Sequence, residues 1–465
     1  REVSGSAFEG ARMNFFSRVN YAYQDKYLLE FIGRYDGSYI FPEGKRFGFF
    51  PAVSAAWRIT QEPWFNDMTS FFDELKFRTS WGQTGNDRFD ANNPRNDEWF
   101  FMDTFGFGGG MVFGHQNVSS IYQQRVPNPN ITWEVANQFD IGVEATFLND
   151  HMSVELDYFN YRRKDILHYR NASVPQSAGF SLPRENIGEV SSYGFDGSFT
   201  WRDQISRDFL YDVTLNIGYA DNEIVFWDET PGVDPWRQST GAPIGAGLFY
   251  EAIGVFQTQE EVDNYPHWDG ARPGDIIFRD VNGDGVIDAD DRVRMNKTGT
   301  PKWNGGMSIR MSYKAFDFTA LIQGAAGAVQ YIRTESGDFG NYFKEFADER
   351  WRPDPSDPTG MRPDPNADTS GPRAFQREEE YWIANANTFF LRNTDYIRLK
   401  QLEVGYNLPP GLTTRLGIQN LRLYANGFNL LTFDNFGLMD PESRNQAGHY
   451  YPQKRIVNLG LSLSF

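Results

Sequence analysis

The sequence predicts an all-β chain: an antiparallel up-and-down transmembrane β-barrel of about thirteen strands with long extracellular loops. Three observations lead there. Apolar and polar residues alternate with a period of two through most of the apolar stretches. No run approaches the roughly 18–20 apolar residues that a spanning helix needs, and hydrophobic residues are only 40 % of the chain. The connections between the strands alternate short and long from one end to the other.

The strands read in order as Met13–Gln24, Lys26–Tyr35, Phe47–Arg58, Glu74–Gly85, Thr132–Leu148, His151–Asp165, Ile187–Trp201 and Phe209–Asp221. They continue as Trp303–Tyr313, Phe316–Gly324, Phe390–Leu408, Leu421–Leu430 and Arg455–Phe465. Phe139, Ile141, Val143, Ala145 and Phe147 interleave with Asp140, Gly142, Glu144 and Thr146; Val213, Leu215 and Ile217 interleave with Asp212, Thr214 and Asn216. A face that carries Asp, Glu and Asn cannot fill a dry core, because unpaired buried charges are too costly. That face is wet, and the other meets lipid or a second sheet. In Phe390–Leu408 the phase flips: Ile397 and Leu399 share one parity, Leu402, Val404 and Tyr406 the other. One extra residue near Lys400–Gln401 restores the facing, so a β-bulge is expected there.

Short connections lie at Asp25, Ile59–Asp73, Asn149-Asp150, Arg202–Asp208, Lys314-Ala315 and Pro409–Asn420. Long ones lie at Asp36–Arg46, Asn86–Ile131, Ile166–Asn186, Asn222–Lys302, Ala325–Phe389 and Thr432–Lys454. Short periplasmic turns and long extracellular loops are the outer-membrane pattern. The parity puts Phe465 at the periplasmic rim, on a closing strand paired with Leu421–Leu430. A soluble sandwich has no reason to segregate loop length in this way.

Composition excludes other classes. The net charge of −18 argues against nucleic acid. With no cysteine there is no disulfide framework and no thiolate site. Aromatic residues reach 16 %, a load that interfacial girdles or ligand-contact surfaces absorb. Arg1 to Gly10 contains no signal peptide, and the strand count is odd. The expectation is that residues 1–465 are the C-terminal part of a longer barrel protein.

Several stretches then resemble one family. They are Met13-Asn-Phe-Phe-Ser-Arg-Val-Asn-Tyr21, Asp25-Lys-Tyr-Leu-Leu-Glu30, Arg34-Tyr-Asp-Gly-Ser38 and Gly48-Phe-Phe-Pro-Ala-Val-Ser-Ala-Ala-Trp-Arg58. Pro127-Asn-Pro-Asn-Ile-Thr-Trp-Glu134, Asn186-Ile-Gly-Glu-Val190, Asp395-Tyr-Ile-Arg-Leu-Lys400, Leu423-Tyr-Ala-Asn-Gly-Phe-Asn-Leu-Leu431 and Asp440-Pro-Glu442 follow in order. Together with the terminal strand they resemble the SusC/RagA-type TonB-dependent transporters of the outer membrane. The resemblance implies a 22-stranded barrel around a plug domain, the plug and TonB box not being in this chain. It implies a SusD-like surface lipoprotein over the extracellular mouth and TonB acting from the periplasm. The cargo would be an oligosaccharide or an oligopeptide, moved without chemical change, so no enzyme is expected.

One motif carries possible metal chemistry. Asp280-Val-Asn-Gly-Asp-Gly-Val-Ile-Asp-Ala-Asp-Asp291, within the long extracellular loop 222–302, matches the spacing of a calcium loop. The expected ligands are Asp280, Asn282, Asp284, the Val286 carbonyl, Asp288 and Asp291, with Gly285 at the sharp turn and Ile287 as apolar anchor. Asp291 stands where Glu is usual, and no amphipathic helix flanks the loop, so a structural calcium that stiffens the loop is expected. An acidic, merely solvated turn is the plain alternative.

The loop aromatics are candidate contacts for a ligand or a partner. Trp99, Trp227, Trp236, Trp268 and Trp351 lead this set, with Phe100, Phe101, Tyr342 and Tyr381 beside them. His115, His151, His168, His267 and His449 lack metal spacing. Gly106-Phe-Gly-Gly-Gly110 is not a phosphate loop, and Glu378–Glu380 and Arg352–Asp368 read as solvated loop. A secreted, calcium-stabilised adhesin is the competing class; dockerins carry such loops in pairs, and here there is one.

Overall fold

A computed structural model describes residues 9–68, 71–88, 99–170, 183–333, 343–374, 380–413, 417–443, 451 and 453–464. Tyr342, Glu378, Glu379, His449 and Phe465, named above, lie outside these residues. The chain divides into two compact units, Arg1–Phe199 with Ala220–Gly232, and Thr200–Tyr219 with Val233–Phe465.

Thirteen strands follow one another in a single sheet whose order is the chain order. The first seven are Arg12–Tyr23, Tyr27–Ser38, Phe47–Arg58, Phe72–Asn86, Glu134–Phe147, Met152–Tyr169 and Arg184–Ser206. The other six are Phe209–Phe226, Trp303–Tyr313, Phe316–Ala326, Tyr396–Asn407, Asn420–Asp434 and Ile456–Ser464. Every expected wall strand is present. Among the described residues no helix is long and apolar enough to cross a membrane.

The register explains why the two faces stay pure. In the first unit Thr79 faces Ile141 and Ile141 faces Tyr158, while Arg78 faces Gly142 and Gly142 faces Asp157. Partners across an antiparallel ladder share a face, so one apolar parity propagates from strand to strand. In the second unit Leu215 faces Met307, Met307 faces Ile322, and Ile322 faces Leu399. The expected bulge is there. Leu321 pairs with Gln401 and Ile322 with Leu399, which leaves Lys400 as the extra residue.

Three expectations need correction. The polar stretch Asn86–Ile131 is not all loop: Thr104–Phe113 and Gln116–Arg125 pair as a hairpin. Its turn residues Gly114 and His115 both have positive φ, 53° and 72°. That is the type I′ requirement, usually met by Asn-Gly or Asp-Gly, and His disguises it. Second, Phe390–Leu408 is not one strand. Thr388–Phe390 is a turn of 3-10 helix, Leu391–Asn393 pairs with Val329–Tyr331, and the wall strand begins at Tyr396. Third, Glu380 is not solvated loop, because it forms ion pairs with Arg272 and Arg373.

The long connections carry their own cores. In the first unit Ile40, Phe41, Phe50, Phe100, Ile131, Trp133 and Leu167 form a buried cluster. In the second unit Tyr250, Trp268, Ile276, Phe278, Ile287, Trp382 and Phe390 form another, drawn from residues more than a hundred positions apart.

Candidate functional site

The polar face of the wall is lined by paired charges. In the first unit Arg18 pairs with Glu30 and Lys76 with Glu144 at 3.0 Å. Arg78 reaches Glu144 at 3.0 Å, Glu155 at 2.6 Å and Asp157 at 2.5 Å. Arg18, Glu30, Lys76, Arg78 and Asp140 border a recess of about 540 Å³. In the second unit Arg422 bridges Asp317 and Glu403. Charges of both signs on one wet face give a hydrophilic wall, with carboxylates outnumbering cations among these pairs.

Two glycines make the longest of these bridges possible. Arg78 and Asp157 lie two strands apart, and the residue between them in register is Gly142. A Cβ at Gly142 would fall on Asp157 Oδ1, and one at Gly405 would fall between Arg422 and Asp317. Gly142→Ala is therefore expected to push Asp157 off Arg78 and to cost about 1–3 kcal/mol. A denaturant series on wild type, Gly142→Ala, Asp157→Asn and the double variant checks this. The two single effects should fail to add, because both remove the same bridge.

Above the wall of the second unit, residues 233–302 fold together with the described residues of 327–395. Ala252–Val255 pairs with Ile276–Phe278, and Leu248–Phe249 pairs with Val293–Arg294. Tyr250 stacks on Phe278 at 4.7 Å and its hydroxyl meets that of Tyr381 at 2.7 Å. At the centre Asp275 is 1 % exposed. Its Oδ1 accepts from Arg373 Nε at 2.7 Å and Trp382 Nε1 at 2.9 Å, and its Oδ2 accepts from the Arg272 amide at 3.1 Å. Burial pushes the Asp275 carboxyl above the usual range, with Arg373 pulling the other way. Burial also opposes ionisation of Glu380, but Arg373 and Arg272 outweigh it and hold that carboxyl below the usual range.

The Asp/Gly loop sits on this body. Ile287 is buried in its core, as an apolar anchor should be. Asp280 accepts from the amides of Gly283 at 2.7 Å and Gly285 at 3.0 Å. Asn282, Asp284 and Asp288 each accept from the amide two residues on. Gly283 and Gly285 have φ of 76° and 84°, which only glycine adopts without cost. Asp291 is fully buried and turned inward. Its Oδ1 accepts from the Val281 amide at 2.8 Å and its Oδ2 from the Asp288 amide at 2.9 Å. Among the described residues, no three His, Cys, Asp or Glu side chains converge as a metal-holding group. The side chains of Asn282, Asp284 and Asp288 lie on the exposed side of the turn, Asp280 is half-buried there, and Asp291 is engaged with backbone.

The loop aromatics separate into two kinds. Trp268 and Trp351 are buried, Trp268 in the loop core and Trp351 with Nε1 donating to the Gln257 carbonyl. Phe100 is buried and Tyr381 packs against the Trp268 ring. Trp99 is exposed, Trp227 lies half-buried against His168, and Trp236 is half-buried with Nε1 donating to the Asp290 carbonyl. The stretch Arg352–Asp368 is more covered than a solvated loop: Arg362 and Asp368 are exposed, but Arg352, Asp354, Asp357 and Asp364 are half-buried. Asp357 accepts from Thr359, Met361 and Arg362, and the Thr359 hydroxyl and amide lead in pulling its carboxyl down to about 2.

Sequence reasoning did not single out Arg398, although it quoted the stretch that holds it. Arg398 is fully buried on the polar face. Its Nη2 meets Asp440 at 2.7 Å, its Nη1 meets Glu442 at 2.6 Å and Gln453 at 3.1 Å, and its Nε donates to Thr432 at 3.1 Å. Asp440-Pro-Glu442 was the visible signal: two acids around a proline in a loop call for a cation.

Strands with one apolar and one charge-paired face, short turns at one end and elaborated loops at the other define a membrane β-barrel wall. More narrowly, the chain belongs to the family described as TonB dependent receptor-like, beta-barrel, whose model matches residues 4–421. These are outer-membrane receptors and transporters, not enzymes. TonB-dependent receptor P26 of Formosa agariphila is 30% identical over 499 residues, covering 100% of this chain and 47% of that protein. The TonB-dependent receptor SusC of Bacteroides thetaiotaomicron is 24% identical, covering 100% of this chain and 45% of that protein. The RagAB peptide importer in its open-open state has a similar fold, with a TM-score of 0.72 at 21% identity over 98% of this chain and 47% of that one. The chain thus spans about half the length of the relatives it matches.

Proposed function

We propose that this wall serves an outer-membrane importer driven through TonB, which takes up oligosaccharides or oligopeptides together with a SusD-like surface lipoprotein. The observation that carries the reading is the likeness to SusC along the whole of this chain, joined to a hydrophilic, charge-paired inner face. A wet face whose charges are engaged in ion pairs lets a polar cargo pass without offering one strong ion trap. The co-folded loop body is a firm platform on which a lipoprotein lid can sit. Trp99, Trp227 and Trp236 keep ring surface for such a partner or for cargo. The adhesin reading finds no support in the family match.

The test is uptake of fluorescent oligopeptides and oligosaccharides by cells carrying the full-length protein, with and without its lipoprotein partner and a protonophore. Accumulation of one cargo class that stops when the proton gradient collapses is expected. Entry that ignores both the gradient and the lipoprotein overturns the proposal.

Calcium at residues 280–291 is part of the proposal. Asp280, Asn282, Asp284, the Val286 carbonyl and Asp288 would supply oxygens, and Asp291 would have to exchange its bonds from the Val281, Asn282 and Asp288 amides for the ion. Chelation by EDTA is then expected to raise amide exchange across 280–291 and leave the wall unchanged. Asp291→Ala should loosen the same loop even in EDTA, because its amide bonds do not need the ion. Equal exchange with and without EDTA removes calcium and leaves the loop held by its amide bonds, the buried Ile287 and the contacts of Trp236 and Arg237 to Asp290.

A further inference from the structure

We infer that the second unit holds one lipid acyl chain in a groove on its membrane-facing surface, just inside the extracellular border of the bilayer. The groove is about 290 Å³ and lies where Ile217, Trp303, Gly305, Ile322, Gly324 and Ile397 come together. Gly305 and Gly324 are register partners, so two side chains are missing side by side on one face. A Cβ at either position would press on backbone, Gly305 on the Asn216 carbonyl at 3.1 Å and Gly324 on the Tyr396 carbonyl at 2.7 Å. The floor is therefore bare backbone, and larger side chains form its rims.

All these residues share the apolar parity of their strands. Ile217 faces Gly305, Gly305 faces Gly324, and Gly324 faces Ile397. The amides and carbonyls of the floor are spent in the ladders, so hydrocarbon laid over them meets no orphaned polar group. Ile217, Trp303 and Ile397 are exposed at 42 %, 41 % and 59 %. In a membrane barrel, side chains on this face that are exposed are exposed to lipid tails.

Position along the strand fixes the depth. The 11-residue strand Trp303–Tyr313 rises about 33 Å, which a tilt of about 40° reduces to about 25 Å. That is the height of a barrel's apolar band, and the strand is aromatic at both ends. Trp303 packs against Tyr219 at 4.7 Å at the end that leads into the long connections, and Phe316 against Tyr406 at 4.7 Å beside the short turn. The groove begins two residues inside the Trp303 end, in the outer leaflet. A recess there that nothing fills forfeits its dispersion contacts; a tail seated in it restores them, and the rims keep it from exchanging as freely as its neighbours.

The test uses the full-length protein in vesicles of phosphatidylethanolamine and phosphatidylglycerol. It is extracted in mild detergent, and tightly retained lipid is counted by native mass spectrometry. Ile217→Phe with Ile322→Phe fills the groove with groups that remain apolar and lipid-facing. Leu156→Phe, exposed on the apolar face of the first unit, is the control. Retained lipid is expected to fall about tenfold in the double variant and to stay unchanged in the control. In wild type, a phospholipid with a diazirine in its tail should crosslink preferentially within Trp303–Tyr313 and Phe316–Ala326. Unchanged retention in a folded double variant, no retained lipid in wild type, or crosslinks spread evenly over the wall strands each overturn the inference. The count depends only on the purified protein, so it stands apart from any result on cargo or TonB.

Discussion

Arg398→Met is expected to release the last long connection from the wall, with a local loss of about 3 kcal/mol. The arginine has no exposed surface and is held by two carboxylates, a glutamine amide and a threonine hydroxyl. Its guanidinium also lies 5.2 Å from the Tyr396 ring centre, and the Tyr396 hydroxyl donates to Glu442 at 2.9 Å. Removing the cation strands Asp440 and Glu442 against each other beside an apolar ring. Among the described residues neither acid has another arginine or lysine as an ion-pair partner. Hydrogen exchange should rise through 434–443 while the ladder Leu421–Leu463 and Leu423–Leu461 keeps its protection. Arg398→Lys should rescue little, since one ammonium cannot span Asp440, Glu442 and Gln453 at once. Full rescue by lysine would show that charge alone, without the planar fork, anchors the loop.

The wall was legible and the loop body was not, for one physical reason. A strand with one lipid face repeats its message every second residue, so Phe139 to Phe147 declares its own orientation without help from elsewhere. The bulge at Lys400 was legible on the same principle, because an extra residue must break the parity of Ile397 and Leu399 against Leu402 and Val404. The loop core repeats nothing. Tyr250 meets Tyr381 and Asp275 meets Arg373 although they stand 131 and 98 positions apart in the chain. No local pattern marks those pairs, so Trp268 and Trp351 read as surface aromatics and Glu380 as solvated charge. The calcium-type motif was half legible. Its spacing foretold the turn at Gly285 and the anchoring of Ile287, but not the second positive-φ turn at Gly283. It could not tell that Asp291 would bind the loop's own amides.

Asp275→Ala is expected to undo the loop body as a whole, at a cost of about 3–5 kcal/mol. The carboxylate joins the first long connection, through the Arg272 amide, to the second, through Arg373 and Trp382. Without it Arg373, itself 10% exposed, keeps Glu380 and the Ala374 carbonyl but loses its buried carboxylate partner, and the buried Trp382 indole N–H loses its acceptor at 2.9 Å. Protection should therefore fall together in Ile276–Phe278 and in Tyr381–Ala384, although a hundred residues separate them. Loss confined to one of the two connections would mean that the apolar core, not Asp275, couples them. Asp275→Asn separates charge from shape. It keeps an acceptor for Trp382 and removes the titration. Because the native carboxyl sits above its ordinary value of 3.8, its proton-linked contribution is full below that value and fades as pH rises through the native one. Glu380 works in the opposite sense. Its carboxyl is held below 4.5, so its contribution is present above that value and fades as pH falls through the native one. The wild-type loop body should thus lose stability in opposite directions through its two acids, and Asp275→Asn should leave only the loss on acidification. An asparagine variant that still weakens as pH rises from 4 would place the titrating group elsewhere in the cluster.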